Sequence, residues 1–257
     1  MLAMVLALAV AQGPVTPATP LRYRLEVKTA SDQDLTSVGK GTVSGTLTTT
    51  ATISVTLTDS ADGQIARVTV DSMALDPTGA MLASLPLAAA AAAADSARGA
   101  FVQAYTVHGT IRGAPRGSSP NPALQSIFQA IGVLFPGLRS NIKVGDRWAD
   151  TTVVNNDVQN GAGRQVGRVI ATWKVTGMEN GGFVLDGTAA TAVTTNGKNG
   201  EMLRVTGASL EHLVMASQGP TRSATIDSSN DISATSPRSA TPIPARSVGS
   251  LKLIPLP

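Results

Sequence analysis

Residues 21–28 read Leu21-Arg22-Tyr23-Arg24-Leu25-Glu26-Val27-Lys28, four apolar side chains alternating without a break with four charged ones. Successive side chains of a strand point to opposite faces, so this period of two puts Leu21, Tyr23, Leu25 and Val27 on one side and every charge on the other. The stretch therefore reads as a strand with one dry face and one wet face, the pattern of an antiparallel sheet covered on a single side.

The same pattern extends outward. In residues 43–57, Val43, Leu47, Ala51, Ile53, Val55 and Leu57 share one parity and threonine fills most of the other, which predicts a long strand or a bent pair. Asp62-Gly63 then gives a hairpin signal, and residues 65–70 run back. Beyond Gly145-Asp146, strand patterns recur at 148–154, 166–175, 183–193, 202–215 and 221–232. Asn160-Gly161, Asn180-Gly181-Gly182, Asn196-Gly197 and Asn199-Gly200 punctuate them with residues that tolerate positive φ. The tail is rich in proline and serine over 236–247, and Leu251, Leu253 and Leu256 are expected to form a last edge strand.

Two segments depart from this period. Residues 82–98 are rich in alanine, with Ser84 placed as an N-cap and Gly99 as a C-terminal stop; they read as a helix or as a flexible alanine linker. Leu124, Ile127, Phe128, Ile131 and Leu134 follow helical spacing between Asn121-Pro122 and Pro136-Gly137, giving a helix with one apolar stripe. Phe101, Tyr105, Val107 and Ile111 mark a strand between the two. The expected fold is mainly β with minor α: a curved antiparallel sheet or open half-barrel of two meanders, with one or two helices packed on the concave face.

The chain has 257 residues, enough to bury a core without staples, and no cysteine. Residues 1–11 are apolar, and Ala9-Val10-Ala11 sets small residues before Gln12 as signal peptidase requires, so they read as a signal peptide, with a short buried strand as the alternative. Residues 12–20 hold three prolines and read as an extended linker. The remaining 21–257 reads as one β-rich domain with a helical insert at about 82–136. An exported protein, periplasmic or extracellular, is the expectation, with no transmembrane span in the mature chain.

Composition narrows the function. The apolar share is 42% but the aromatic share only 3%, so few side chains can stack on bases or sugars. The net charge is +3 with the bases scattered singly, which does not make a nucleic-acid footprint. His108 and His212, on separate strands, lack further ligands at metal spacing, and no metal or cofactor is expected. Ser37 and Lys40 match the S-x-x-K spacing, but glycines and a threonine-rich strand follow where the chemistry needs a helix. Asp32 with Asp34, and Asp227 with Asn230 and Asp231, suggest calcium loops, but the second cluster lacks the loop glycine and closing glutamate. Trp148 and Trp173 sit on expected strands, serving either core packing or ligand contact. No local motif supports catalysis, so a non-enzymatic role is expected.

Phe135-Pro136-Gly137-Leu138 followed by Ile142-Lys143-Val144-Gly145-Asp146-Arg147-Trp148 resembles a motif of an uncharacterised family of exported bacterial β-rich proteins. In that family a helix ends in a proline turn and a GDxW element opens the second half of the sheet. These proteins are similar to the open half-barrel lipoprotein carriers of the LolA and LolB type, which wrap a curved sheet around helices and hold an acyl chain. The resemblance implies that fold and hints at a lipid. The expectation is thus a binding protein sheltering a lipid or other apolar ligand, contacted by Leu124, Ile127, Phe128, Ile131, Leu134, Trp148 and Trp173. The alternative is a structural or interaction domain that binds an envelope protein along an edge strand such as 43–57.

Overall fold

The computed structural model describes residues 20–61, 63–82, 87–108, 111–118, 124, 127, 131–136, 141–157, 163–216, 219–237 and 239–257. In chain order its elements are β1 (Leu21–Asp34), β2 (Thr42–Ser60), β3 (Gly63–Thr78), α1 (Leu87–Ala97), β4 (Phe101–His108) and β5 (Ile111–Ser118). There follow β6 (Arg147–Asp157), β7 (Gly163–Glu179), β8 (Gly182–Gly197), β9 (Met202–Ala216), β10 (Thr221–Ser236) and β11 (Ser239–Leu256). All strands join one curved, open antiparallel sheet in the order β5-β4-β3-β2-β1-β11-β10-β9-β8-β7-β6.

Each half is a meander because its turns are short. Glu179 pairs with Gly182, and the two residues between them, Asn180 (φ 49°) and Gly181 (φ 74°), both take the positive φ of a type I′ hairpin. Ser60 pairs with Gly63 at the Asp62-Gly63 signal. The Asn160-Gly161 turn lies outside the described residues.

The two meanders meet where β1 pairs with β11, in register from Arg22↔Leu256 to Gln33↔Ala245. The tail is therefore not an edge strand, as its sequence suggested, but a central one that includes the Pro/Ser-rich segment. Its prolines are tolerated because each lies past the end of one neighbour. Pro244 pairs with Ser233 of β10 beyond the last residue facing β1, and Pro255 pairs with Tyr23 beyond the last residue facing β10. Similarly β2 is internal, flanked by β1 and β3, so residues 43–57 offer no edge to a partner; the edges are β5 and β6.

β5 and β6 are opposite edges of the sheet, and the described residues of the connection between them, 124, 127, 131–136 and 141–146, include those that cross one face. That crossing fills the core. Leu124, Ile127, Ile131, Leu134 and Phe135 have no exposed surface and cluster with Tyr23, Leu25, Ile53, Val68, Leu185, Leu213, Leu253 and Trp148 from both meanders. Burying each such side chain contributes roughly 1.5–3 kcal/mol. The buried Thr221 hydroxyl of β10 donates to the Val133 carbonyl at 2.6 Å and pins the crossing to the sheet. It is pinned again at its end: the Gly145 N–H donates to the Val175 carbonyl, the Val175 N–H to Asp146, and the Asp146 carboxylate accepts from the Lys143 N–H. This turn, with Gly145 at φ 95°, sets the register that places Trp148 opposite Trp173.

The alanine tract is helical. α1 packs against β3 through Ala90, Ala94 and Ala97, spaced along one face, and Gly99 beyond it takes φ 70°. Ser84 lies outside the described residues. No described helix is long and apolar enough to cross a membrane.

Candidate functional site: the inner face of the sheet

We call the face covered by the crossing the inner face. Pleat parity assigns residues to it directly: along β7, the odd residues 163–175 are shielded while the even ones are exposed. One inner row runs across seven strands, from Trp148 through Trp173, Gly187, Glu211, Ile226 and Leu251 to Val27.

Charge is sorted by face. On β1–β4 and β6–β11, every paired lysine and arginine falls on the outer parity, including Arg22, Arg24, Lys28, Arg67, Arg168, Lys174, Arg204, Arg246 and Lys252. The inner face carries carboxylates at Asp150 and Glu211, and at Asp59 near the β2–β3 turn, with no inner-face base among those paired positions.

Going along the strands from the covered end, inner side chains shrink and then grow again. On β9 they run Met215, Leu213, Glu211, Ser209, Gly207, Val205, Leu203; on β8, Phe183, Leu185, Gly187, Ala189, Thr191, Val193, Thr195. The small residues leave a cavity of about 280 Å³ beneath Val133, lined by Val27, Thr29, Ser209, Ile226, Ser228 and Leu251 among others. A second inner cavity of about 330 Å³ lies at the far strand ends against Thr195, Leu203, Ala234 and Ile243. Between them stand aliphatic side chains, Val193, Val205, Ile232 and Ala245. The one described helix, α1, sits at β3 on the other half of the sheet.

Glu211 lines a separate cavity of about 320 Å³ with Asp186, Gly187, His212 and Asp227. Its register partner Ile226 and its inner neighbour Ser209 both line the first cavity, and Ser209 Oγ donates to Glu211 Oε1 at 2.9 Å. Partial burial pushes the Glu211 carboxyl above the ordinary glutamate range, opposed by that hydrogen bond. On its other side is Gly187, and the Trp173 ring lies over it: a Cβ built on Gly187 would meet ring carbons at 2.5 and 2.6 Å.

Of the side chains expected from sequence to contact a ligand, Leu124, Ile127, Ile131 and Leu134 are wholly buried in the core, Trp148 is buried and Trp173 half-buried. Phe128 lies outside the described residues. Among the described crossing residues, Val133 lines a cavity. Sequence reading passed over Glu211; in hindsight, its parity with Leu213 and Met215 was the available sign that a carboxylate shares the dry face.

The other polar groups disperse. His212 pairs with Asp186 at 2.8 Å on the outer face, both half-exposed. Asp227 and Asp231 point outward while Asn230 points inward, so that trio cannot converge. Asp32, Asp34 and Asp231 share an outer cavity of about 490 Å³ with Arg204 and Arg246. Among the described residues no group of acidic and histidine side chains is disposed to hold a metal ion. Ser37 lies in a short 3-10 turn, Thr36–Val38, tied down by Asp34, whose carboxylate accepts from the Thr36 N–H and Oγ1.

No family model matches the chain, and no curated protein does. Among solved structures, one described as "lipid-protein interactions in lipovitellin" superposes with a TM-score of 0.54 at 14% sequence identity, over 94% of this chain. This chain spans 25% of the length of that one. At this identity the likeness is one of fold: a large open antiparallel β-sheet.

Proposed function

We propose that this chain is an exported, non-enzymatic binding protein that shelters a lipid or other apolar ligand against the inner face of its sheet. The observation that carries this reading is the inner strip from Val133 to Leu203. Its paired inner-parity positions carry no lysine or arginine, it is aliphatic at its far end, and it is left partly unfilled by side chains that are small where a tight core would have large ones. Ligand contact on this reading comes from Val133, Ile226, Leu251, Val193, Val205 and Ile232, with Trp173 beside them, while the fully buried crossing residues hold the wall in place. The fold shared with lipovitellin, a protein whose solved structure is described through its lipid interactions, is in keeping with it. So is the half-barrel carrier arrangement implied by residues 135–148. The apolar run at 1–11 supports export.

The experiment is organic extraction of purified protein followed by mass spectrometry, with a titration of delipidated protein by a long-chain fatty alcohol. Co-purified lipid, or saturable quenching of the two tryptophans by the alcohol, is the expected result. Protein that yields no lipid and binds no apolar probe would refute the carrier reading.

A further inference from the structure

Resting on the carrier reading, we infer that the inner face takes a lipid with an uncharged, hydroxyl-bearing head, of the monoacylglycerol class. The head sits in the cavity beneath Val133 and the acyl chain runs along β8–β11 toward Leu203. The wall of that cavity carries five neutral polar side chains, Thr29, Thr191, Ser209, Ser228 and Asn230, all half-buried. They fall on two successive inner rows of the register: Ser209 and Ser228 lead through Gly249 to Thr29, and Thr191 leads through Gly207 to Asn230. Among the described residues the side chains of Thr29, Thr191 and Asn230 have no hydrogen-bond partner, and Ser228 Oγ reaches the Gly249 carbonyl only at 3.4 Å. Ser209 donates its proton to Glu211 Oε1 and so offers the head its oxygen. Polar groups shielded from solvent are ordinarily paired, so this set is open to head-group hydroxyls, which both donate and accept.

A charged head finds no counterpart there. The one ionisable residue in the described lining is Lys28, which pairs with Thr48 and Ser250 on the outer parity and is exposed, so its ammonium lies on the other face. Glu211 lines the separate cavity beside Asp186 and His212. A carboxylate, phosphate or ammonium would shed water in the cavity without a counter-charge, a loss that neutral dipoles do not offset. A hydroxylated head exchanges water for partners of its own kind. Next to the polar rows the inner face presents Val193, Val205, Ile232 and Ala245, and beyond them the second cavity opens against Leu203, Ala234 and Ile243. From Ser228 to Ala234 is six residues, about 20 Å of strand at roughly 3.3 Å per residue, room for one extended acyl chain.

The test compares three probes that share one tail, 1-dodecanoylglycerol, dodecanoate and dodecylamine, each below its micelle concentration at mildly alkaline pH. Binding is followed by calorimetry and by tryptophan emission on wild-type protein, on Thr29→Val/Thr191→Val, which removes two hydroxyls at nearly constant shape, and on Ser228→Ala. Wild type binds the glycerol ester at least about tenfold more tightly than either ion. Thr29→Val/Thr191→Val weakens the ester about tenfold and Ser228→Ala about threefold, with the ions little changed. Equal affinity for the three probes in wild type, or tighter binding of either ion, overturns the inference and leaves the carrier reading intact. So does an ester preference that survives undiminished in both variants. Failure of all three probes to bind wild type overturns both.

Discussion

Gly187→Ala tests whether the Trp173 ring occupies the space where a side chain on β8 would stand. The ideal Cβ would lie 2.5 Å from Trp173 Cζ3 and 2.6 Å from Cε3. Non-bonded carbons settle near 3.5–4.0 Å, so the ring must retreat by about 1 Å. It is held on one side by Trp148, its register partner, and packs against the core, so the retreat disturbs packing rather than swinging into open solvent. Overpacking of this kind costs about 1–3 kcal/mol. For a chain of this size each kcal/mol lowers Tm by about 2–4 °C. Thermal unfolding should show that loss, and the emission of the two tryptophans should shift as Trp173 becomes more exposed. Gly177→Ala is the control on the neighbouring strand: its Cβ would meet nothing within 4 Å, so stability should stay within about 0.5 kcal/mol of wild type. If Gly187→Ala matches that control in both Tm and emission, the ring does not lie over Gly187, and the inner row from Trp148 to Glu211 is wrongly drawn.

Thr221→Val removes the donor to the Val133 carbonyl and leaves that oxygen buried without it, a loss of about 1–3 kcal/mol in urea unfolding; an unchanged midpoint would show that the crossing is not pinned there. Phe135→Ala empties a wholly buried ring site in the shared core and should cost about 3–5 kcal/mol, whereas a loss under 1 kcal/mol would mean the crossing is not part of that core. Val153→Lys changes an outward residue, 74% exposed on the edge strand β6, and should reduce concentration-dependent aggregation in light scattering at no cost beyond about 0.5 kcal/mol. For Glu211, burial raises the folded-state pKa above the unfolded one, so the folded protein binds the proton more tightly and wild-type stability falls as pH rises through that window. Glu211→Gln does not titrate, and its urea midpoint should lack that decline; parallel pH profiles for the two proteins would refute it.

The sheet was legible because its signals are local and repeated. The alternation in residues 21–28 and the Asn180-Gly181 turn each determine a few residues of structure without reference to anything distant, and strands β6–β10 appear where the alternation puts them, extended at their ends. What stayed hidden depends on pairing. Nothing in residues 239–256 says that their partners are β1 and β10, and proline content argued for an edge until the register showed each proline beyond a neighbour's last paired residue. The threonine-rich strand β2 looked available for the same reason: an edge is a property of the sheet order, not of the strand. The candidate site was half legible. Helical spacing singled out Leu124, Ile127, Ile131 and Leu134 as one apolar stripe, and the structure buries all four, but which residues border empty space depends on what each faces across the sheet.

That last point explains how this chain makes room for a ligand. A period-two pattern reports which face a residue takes and says little about the volume it fills, so Ala189, Gly207, Ser209, Ser228 and Gly249 are unremarkable along the sequence. In register they fall together on adjacent strands, between the large residues under the crossing and the aliphatic ones at the far end. Their small size is partly imposed. A Cβ on Gly207 would lie 2.1 Å from Asn230 Oδ1, and one on Gly249 2.8 Å from Ser228 Oγ, so the glycines admit the neighbouring polar side chains to the inner face. A sequence selected for stability alone would fill such a waist with leucine and isoleucine, gaining roughly 0.8 kcal/mol for each methylene buried. Here the waist is lined with hydroxyls and an amide, Thr29, Thr191, Ser209, Ser228 and Asn230, groups that stabilise the fold less than aliphatic packing would and that are suited to hold a polar head above an apolar tail.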